Sequence, residues 1–346
     1  MSSDTRTSRM RLRLERANIL AYRRRVQALD ERLPLGAASL RRAAWAGLQD
    51  SMPRAALLSI HARVEETTSS ALDDPSLVQL WGPRFSAYAV AAGDVAPFTL
   101  GRLPEDPRGR RRAEEMAVRL HAFLDGREMP YGEAGRGIGV HPNALRYAAP
   151  TGTVLIRWDG ARQPTVRGVP APPVDPFEAR LELARRYLHA FGPATADAFA
   201  DWAGIARPPG RAAVDALGTE LTPVRTPAGD GWILAADEPA FRAPAGPSAP
   251  ARLLPSGDTY FLLQGADREL LVPDADRRRL VWTPRVWPGA LLVAGEIVGT
   301  WRRANAVVDI ELWRDLRPAE RDAVEAETAS LPLPGVKGPI VVRWAT

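Results

Sequence analysis

The hydrophobic positions of this chain repeat one order three times, with helical spacing first and strand alternation after it. Near the N-terminus, apolar residues recur at helical spacing over three short segments, within 10–26, 38–49 and 54–66. Alternating runs follow at 77–81 and 85–90, separated by Gly82 and Pro83, and predict a β-hairpin. Helices followed by a hairpin have the element order of a winged helix-turn-helix unit.

The same order returns twice. Helices are predicted at 110–124 and from Pro142, and a hairpin at 153–158 and 163–166 across the turn residues Asp159 and Gly160. After the proline-rich stretch 170–176, helices are predicted at 177–191, 194–204 and 209–218, with a hairpin at 222–225 and 231–234. No fixed-period repeat links the three groups, so we expect tandem architectural copies, not a solenoid.

The C-terminal quarter has a different pattern. Beyond a linker at 241–251, short apolar runs at 259–263, 269–272, 290–294, 297–301 and 307–312 predict strands of a small β-barrel. A helix at 318–330 closes it, and 340–344 adds an edge strand. The predicted fold class is therefore α+β, with units at 1–106, 107–172, 173–242 and 252–346.

The amino-acid composition narrows the range of possible functions. The 346 residues include 46 Lys+Arg against 41 Asp+Glu, no cysteine and four histidines. Disulfides, thiolate metal sites and a cysteine nucleophile are thus excluded, and we expect no metal or organic cofactor. No apolar stretch approaches the ~20 residues that span a bilayer, which predicts a cytoplasmic protein without a membrane partner.

Almost all positive charge is carried by arginine, since Lys337 is the only lysine. A GC-rich genome would produce this bias without any functional reason. The alternative is that planar guanidinium groups suit phosphate oxygens. The net charge of +5 permits nucleic-acid binding without demonstrating it.

The polar triplet Gln49-Asp50-Ser51 stands out because it lies between two apolar helices. No phosphate loop, nucleophile elbow or metalloprotease motif occurs in the chain. One interpretation is that Asp50 or Ser51 caps the helix that begins near Pro53. The other is that these side chains carry chemistry.

Five segments carry a family resemblance: 47–57, 81–84, 186–195, 201–204 and 299–302, with sequences GLQDSMPRAAL, WGPR, RYLHAFGPAT, DWAG and GTWR. Together they resemble the winged helix DNA-binding domain-containing proteins that include the AlkZ-type and YcaQ-like DNA glycosylases. The resemblance spans nearly the whole chain. It implies tandem winged helices in a C-shaped arrangement plus a C-terminal β-barrel, and a protein that excises bulky alkylated purines or unhooks interstrand crosslinks.

The resemblance also implies a Gln-x-Gln motif that positions the hydrolytic water. Here the triplet Gly47-Leu48-Gln49 matches it, with Gln49 as the second glutamine and glycine in place of the first. Gln49 and Asp50 are therefore the candidate catalytic residues, as an electrostatic group and a general base. The alternative is a winged-helix protein that binds DNA without catalysis, either a transcription regulator or a protein that binds genotoxins or lesions.

Duplex DNA is the expected partner, bound by a nucleoid-associated monomer, because several winged helices in one chain can surround DNA without a second copy. The candidate contacts are polar side chains on the predicted helices and wings. They are Arg41, Arg42, Arg54, Arg63, Asn143, Arg146, Arg157, Arg162, Arg211, Arg302 and Arg303. Each could instead solvate a helix face.

Overall fold

The computed structural model describes residues 11–160, 162–336 and 338–345, and it confirms the α+β class. Its α-helices are α1 Arg16–Val26, α2 Ala37–Ala43, α3 Ala55–His61, α4 Val95–Phe98, α5 Pro107–Leu124, α6 Tyr131–Gly137, α7 Pro176–Phe191, α8 Ala196–Ala203, α9 Arg207–Ala216, α10 Glu238–Arg242, α11 Asp267–Leu271, α12 Ala275–Val281 and α13 Pro318–Ala329. Its strands are β1 Leu12–Arg13, β2 Leu48–Gln49, β3 Leu77–Trp81, β4 Ala87–Ala91, β5 Met129–Pro130, β6 Val154–Arg157, β7 Thr165–Gly168, β8 Leu221–Thr226, β9 Gly229–Leu234, β10 Ala251–Leu254, β11 Gly289–Val293, β12 Glu296–Ala304, β13 Val307–Leu312 and β14 Val341–Trp344.

A six-stranded sheet joins the first two predicted units. Its strand order is β2-β4-β3-β6-β7-β5, and the two hairpins meet where Gln79 of β3 pairs with Ile156 of β6. An isolated hairpin would leave unpaired backbone groups along its edge, and this pairing covers part of that edge. The hairpins of segments 1–106 and 107–172 are therefore parts of one sheet.

The N-terminal helix packs with the third helical group. Strand β1 pairs in parallel with β8, so that Leu12 lies opposite Val224. Helix α1 contacts α7, α10 and α11, and Tyr22 stacks on Phe241 with ring centroids 3.6 Å apart. Its arginine-rich face is only partly solvated, because Arg23 is fully buried and donates to the backbone carbonyls of residues 191–193.

The C-terminal strands form an open sheet and not the predicted barrel. Five strands in the order β10-β11-β12-β13-β14 are hydrogen-bonded, and within the described residues no pairing joins β10 to β14. Helix α13 contacts both of these edge strands, and its Val324 is buried with Val308 and Ile310. The helix thus covers the apolar face that closure would otherwise have buried.

Two predicted C-terminal strands are wrong. Residues 259–263 are irregular, and most of 269–272 belongs to α11. Both segments are enclosed by apolar neighbours, with Phe261 and Leu271 in the same core cluster as Tyr187 and Trp202 of α7 and α8. A short apolar run that is buried on all sides has no periodicity that separates a strand from a helix.

The segment between β10 and α11 is fastened over strand β2. The Thr259 hydroxyl donates to the carbonyl oxygen of Gly47 at 3.0 Å. The Asp258 carboxylate accepts from Arg63 at 2.7 and 2.8 Å, and both side chains are buried. These bonds hold a C-terminal loop against the polar triplet at residues 49–51.

Candidate active site

Gln49 is the last residue of strand β2 and lies opposite Tyr88 of β4. Its side chain is half-buried, and a loop of the C-terminal part closes over it. At Gly257 of that loop, where φ is +75°, a Cβ atom would lie 2.9 Å from Gln49 Nε2. Glycine is required for this approach, and the loop therefore forms a wall directly against the Gln49 carboxamide.

Three hydrogen bonds fix the orientation of the Gln49 carboxamide. Its Oε1 accepts from Arg84 Nη2 at 3.1 Å and from the Tyr88 hydroxyl at 3.3 Å. Its Nε2 donates to the Ser51 hydroxyl oxygen at 2.5 Å. Two donors on one side and an acceptor on the other allow a single assignment of oxygen and nitrogen.

Arg84 reaches Gln49 from a strained turn between β3 and β4. Arg84 and Phe85 have φ values of 53° and 57°, a region that non-glycine residues seldom occupy. Such strain is concentrated at functional sites, where surrounding structure maintains it. Arg84 Nη2 bonds to Gln49, whereas Arg84 Nη1 is buried and has no hydrogen-bond partner within the described residues.

Gln49 and Ser51 line a cavity of about 480 Å³ that carries positive charge. Its walls include Arg84, Arg268 and Arg285, and no carboxylate lies among its described lining residues. Burial, followed by the nearby charge of Arg84, lowers the pKa of Arg268. The cavity can therefore attract an anion but offers no carboxylate for acid–base chemistry.

Gly47, which the family resemblance paired with Gln49, does not line the cavity. Gly47 has a φ of +74°, and a Cβ there would lie 2.7 Å from Phe98 Cε1 and 3.0 Å from Tyr88 Cδ1. A glutamine at this position would point into the core and not into the cavity. Ser51 instead lines the cavity with Gln49, as positions two residues apart on an extended backbone do.

Asp50 points away from the cavity, on the opposite side of the backbone from Gln49 and Ser51. It is 2% exposed, and its Oδ1 accepts from the backbone N–H of Ala56 in the first turn of α3. Its Oδ2 accepts from Gln79 Nε2 at 3.0 Å. Burial is the largest cause that raises the pKa of Asp50 to about 6. These contacts are those of a helix-capping residue, and they give Asp50 no access to a substrate.

Two of the predicted DNA contacts lie beside the Gln49 cavity. Arg302 and Arg303 line a second cavity that adjoins it, together with Met52 and Trp287. Burial, followed by the charge of Arg54, lowers the pKa of Arg303. No ion pair to any described carboxylate involves Arg54, Arg302 or Arg303, so their charges remain available.

Arg63 is a correction, because it cannot reach DNA. Its side chain is 1% exposed and forms a buried ion pair with Asp258, and it also donates to Ser59 and Gln27. The sequence pattern placed Arg63 inside the predicted helical segment 54–66, where it was expected either to contact phosphate or to lie on a solvated helix face. Instead, Arg63 holds the loop in place through Asp258, whose neighbour Gly257 forms part of the wall of the Gln49 cavity.

The other predicted contacts are spread over the surface. Arg41, Arg42, Asn143 and Arg162 are exposed, and Arg146 is half-buried and donates to Asn143. Arg157 pairs with Asp73 at 2.7 Å and Arg211 with Asp197 at 2.6 Å. Exposed pairs of this kind are weak and can exchange for phosphate. None of these residues lines the cavity of Gln49.

Sequence reasoning missed several residues of the site. Arg84 was visible only as part of the WGPR segment, and Ser51 only as a possible cap. Arg268 and Arg285 come from a region with no regular periodicity. Arg268 and Arg285 line the same cavity as Gln49 because residues 255–287 pack next to β2. This packing depends on contacts between distant parts of the chain, so no local sequence pattern predicts it.

Two features are absent from the described ranges. There, no group of three or more histidine, aspartate or glutamate side chains is arranged to hold a metal ion. No described helix combines the length and apolar character needed to cross a membrane.

Comparisons with known proteins show which family and which solved structure this chain is similar to. The family model for DNA glycosylase AlkZ-like proteins matches residues 40–332. The chain is 29% identical over 160 residues to the interstrand DNA cross-link repair glycosylase of Streptomyces sahachiroi, a match that covers 45% of this chain and 42% of that protein. The solved structure of the S. sahachiroi DNA glycosylase AlkZ has the same fold, with a TM-score of 0.76 and 19% identity over 96% of this chain and 100% of that one.

Proposed function

This chain belongs to the AlkZ-like DNA glycosylase family, and on that premise we propose that it hydrolyses the N-glycosidic bond of alkylated purines in duplex DNA. The observation that carries the proposal is the Gln49 carboxamide, which three hydrogen bonds hold at the wall of an arginine-lined cavity. A rigidly positioned dipole of this kind can orient a water molecule and stabilise charge in a transition state.

The reaction proceeds by attack of water on C1′ of the damaged nucleotide. The bond from C1′ to the purine nitrogen breaks, and its electron pair neutralises the positive charge of the alkylated base. The water loses one proton to solvent and leaves a hydroxyl on C1′, which gives an abasic site and a neutral alkylpurine. We propose that the hydrogen-bonded pair of Gln49 and Ser51 holds this water on the side of the pair that faces the cavity.

The absence of a carboxylate from the described lining of the cavity sets the substrate class. A neutral base must be protonated before it leaves, whereas an N7- or N3-alkylpurine is already cationic. The site therefore fits cationic alkylpurines. The similarity to an interstrand cross-link repair glycosylase supports extending the proposal to crosslinks, in which one such bond at a time would be cut.

The arginines fit phosphate better than they fit the base. Arg84, Arg268 and Arg285 would repel a cationic purine but attract the phosphates on either side of it. Charge-assisted bonds from guanidinium groups to phosphate are strong and often bidentate. We propose that these three side chains grip the backbone of the damaged strand and place C1′ beside Gln49.

We propose that the helix groups and hairpins act as winged helices and bind the DNA that lies outside the cavity. Helices α7–α9 followed by the hairpin β8–β9 have that order, and so do α5, α6 and the hairpin β6–β7. We propose that the exposed candidates named above contact phosphates there. We also propose that the protein acts as a monomer on chromosomal DNA.

The test is abasic-site formation in a duplex that carries one N7-methylguanine, read by alkaline strand cleavage. We expect Gln49→Ala to lower the single-turnover rate by about 10²–10³ while DNA affinity is kept, since removal of one positioned transition-state group commonly costs this much. Gln163→Ala, at an exposed glutamine of the second hairpin, is the matched control and should retain the wild-type rate. A Gln49→Ala rate within threefold of wild type would contradict the proposal.

One observation favours the second candidate, a DNA-binding protein without catalysis. Serine stands at the position that shares the cavity with Gln49, and a hydroxyl is a weaker acceptor for water than a carboxamide oxygen. In that case wild-type protein would bind the modified duplex tightly and form no abasic site from any cationic alkylpurine.

A further inference from the structure

The turn that carries Arg84 is a point where three parts of the chain meet. It comprises residues 82–86 between β3 and β4, and both Arg84 and Phe85 have positive φ values. Non-glycine residues keep this conformation only where the surrounding structure maintains it. Because Arg84 donates to the Gln49 carboxamide, the contacts that maintain the turn also help to orient that group.

The end of helix α8 supports the backbone of this turn. Gly204, directly after α8, has a φ of +67°, and a Cβ there would lie 2.8 Å from Arg84 N. Arg102 fastens the same junction, because its side chain is buried and donates to the carbonyl oxygens of Ala203 and Trp81 at 2.8 and 3.3 Å. The turn is thus packed against a helix of the third helical group.

Two aromatic rings link the turn to the short helical segment Pro142–Thr151. The rings of Phe85 and Tyr147 meet edge to face, with centroids 5.4 Å apart and planes at 75°. The guanidinium of Arg102 lies 5.1 Å from the Phe85 centroid, and that of Arg112 lies 3.5 Å from the Tyr147 centroid. Both arrangements are attractive. Phe85 is therefore held by two neighbours, which restricts the conformation of the turn.

We propose that Tyr147 is a positioning residue for the Gln49 site and acts through Phe85 and Arg84. Its ring holds Phe85, and the turn holds Arg84 Nη2 at 3.1 Å from Gln49 Oε1. The inference rests on the proposed glycosylase function and gives a part in it to a residue that does not line the cavity. Asn143, one of the proposed DNA contacts, lies on the same segment as Tyr147, so DNA contact there and the orientation of Gln49 share one support.

The test is the single-turnover rate of abasic-site formation from N7-methylguanine, measured with saturating protein. We expect Tyr147→Leu, which removes the ring, to lower this rate by about tenfold, because a small displacement of a positioned group has effects of at least this size. Tyr147→Phe keeps the ring and should stay within about twofold of wild type. Tyr131→Leu, at another half-buried tyrosine of the second unit, is the matched control and should keep the wild-type rate.

A double mutant separates positioning from a general loss of structure. If Tyr147 acts through Gln49, adding Tyr147→Leu to Gln49→Ala should slow the reaction no further, whereas a general loss of structure lowers the rate equally in both backgrounds. Equal losses in both backgrounds, a wild-type rate for Tyr147→Leu, or no rescue by Tyr147→Phe would overturn the inference and leave the glycosylase proposal intact. If circular dichroism shows that Tyr147→Leu is unfolded, Tyr147→Met takes its place, since it also removes the ring.

An NMR measurement tests the inference without catalysis. The side-chain amide signals of Gln49, assigned by their loss in Gln49→Ala, should shift in Tyr147→Leu and keep their wild-type positions in Tyr131→Leu. Unchanged Gln49 signals in Tyr147→Leu would refute the positioning role. If wild type forms no abasic site but the Gln49 signals shift as expected, the glycosylase proposal alone fails.

Discussion

Replacing Asp50 with asparagine tests whether this residue is a buried cap and not a catalytic base. The wild-type carboxylate is 2% exposed and accepts from Ala56 N and Gln79 Nε2, each at 3.0 Å. Gln79 cannot turn its amide without loss, because its Oε1 accepts from the backbone N–H of Trp158 at 2.6 Å. An asparagine amide would therefore place its own donor against the Gln79 donor.

The magnitude follows from the pKa, which burial raises from 3.8 to about 6. Between these values the folded protein binds more protons than the unfolded chain, so the free energy of unfolding falls as pH rises from about 4 through 6. A rise of about 2 in pKa corresponds to about 3 kcal/mol. Asparagine does not titrate, so its contribution to the free energy of unfolding does not change with pH. Its unsatisfied amide donor lowers that free energy by about 1–3 kcal/mol at every pH.

We therefore expect Asp50→Asn to be less stable than wild type at pH 4.5, and the difference to shrink or reverse by pH 7.5. Urea denaturation at intervals across this range gives the free energies of unfolding of both proteins. Asp276→Asn, at a side chain that is 87% exposed, is the control and should show little change. A stability difference that stays constant from pH 4.5 to 7.5 would refute the reasoning.

Three more predictions follow from other contacts. Arg63→Met should cost about 3–5 kcal/mol in urea denaturation because it leaves the Asp258 carboxylate buried and unpaired, and a loss under 1 kcal/mol would contradict the role given to this pair. Arg84→Ala should lower the slope of log affinity against log salt by about one, as loss of one phosphate contact does, and an unchanged slope would show that Arg84 does not hold the backbone. Gly47→Gln should destabilise the fold by about 2–4 kcal/mol, because the residue at 47 has a positive φ and its side chain would collide with Phe98, whereas Ser51→Gln should be tolerated. If thermal melts show Ser51→Gln to be the less stable of the two, residues 47 and 49 would again be the better match to the Gln-x-Gln motif.

The local pattern of the sequence was sufficient to predict most of the secondary structure. The hairpins at β3–β4, β6–β7 and β8–β9 are short runs rich in apolar residues and bounded by turn residues, signals that act within a few residues. The long helices α5 and α7 begin at Asp106 and Asp175, each followed by proline at the first helical position. The polar triplet at residues 49–51 was likewise visible, because polar residues between two apolar helices interrupt a clear pattern.

Tertiary packing decided what those elements do. Periodicity cannot show that β3 pairs with β6, that α1 packs on α10, or that α13 takes the place of barrel closure, because each depends on contacts between residues far apart in the chain. Contacts between distant residues also changed the roles that the sequence suggested for individual side chains. Asp50 and Ser51 are neighbours in sequence, but the extended backbone turns one into the core and the other into the cavity. Arg63 and Arg84 are both arginines near apolar segments, yet burial against Asp258 makes the first structural, while a strained turn directs the second toward Gln49.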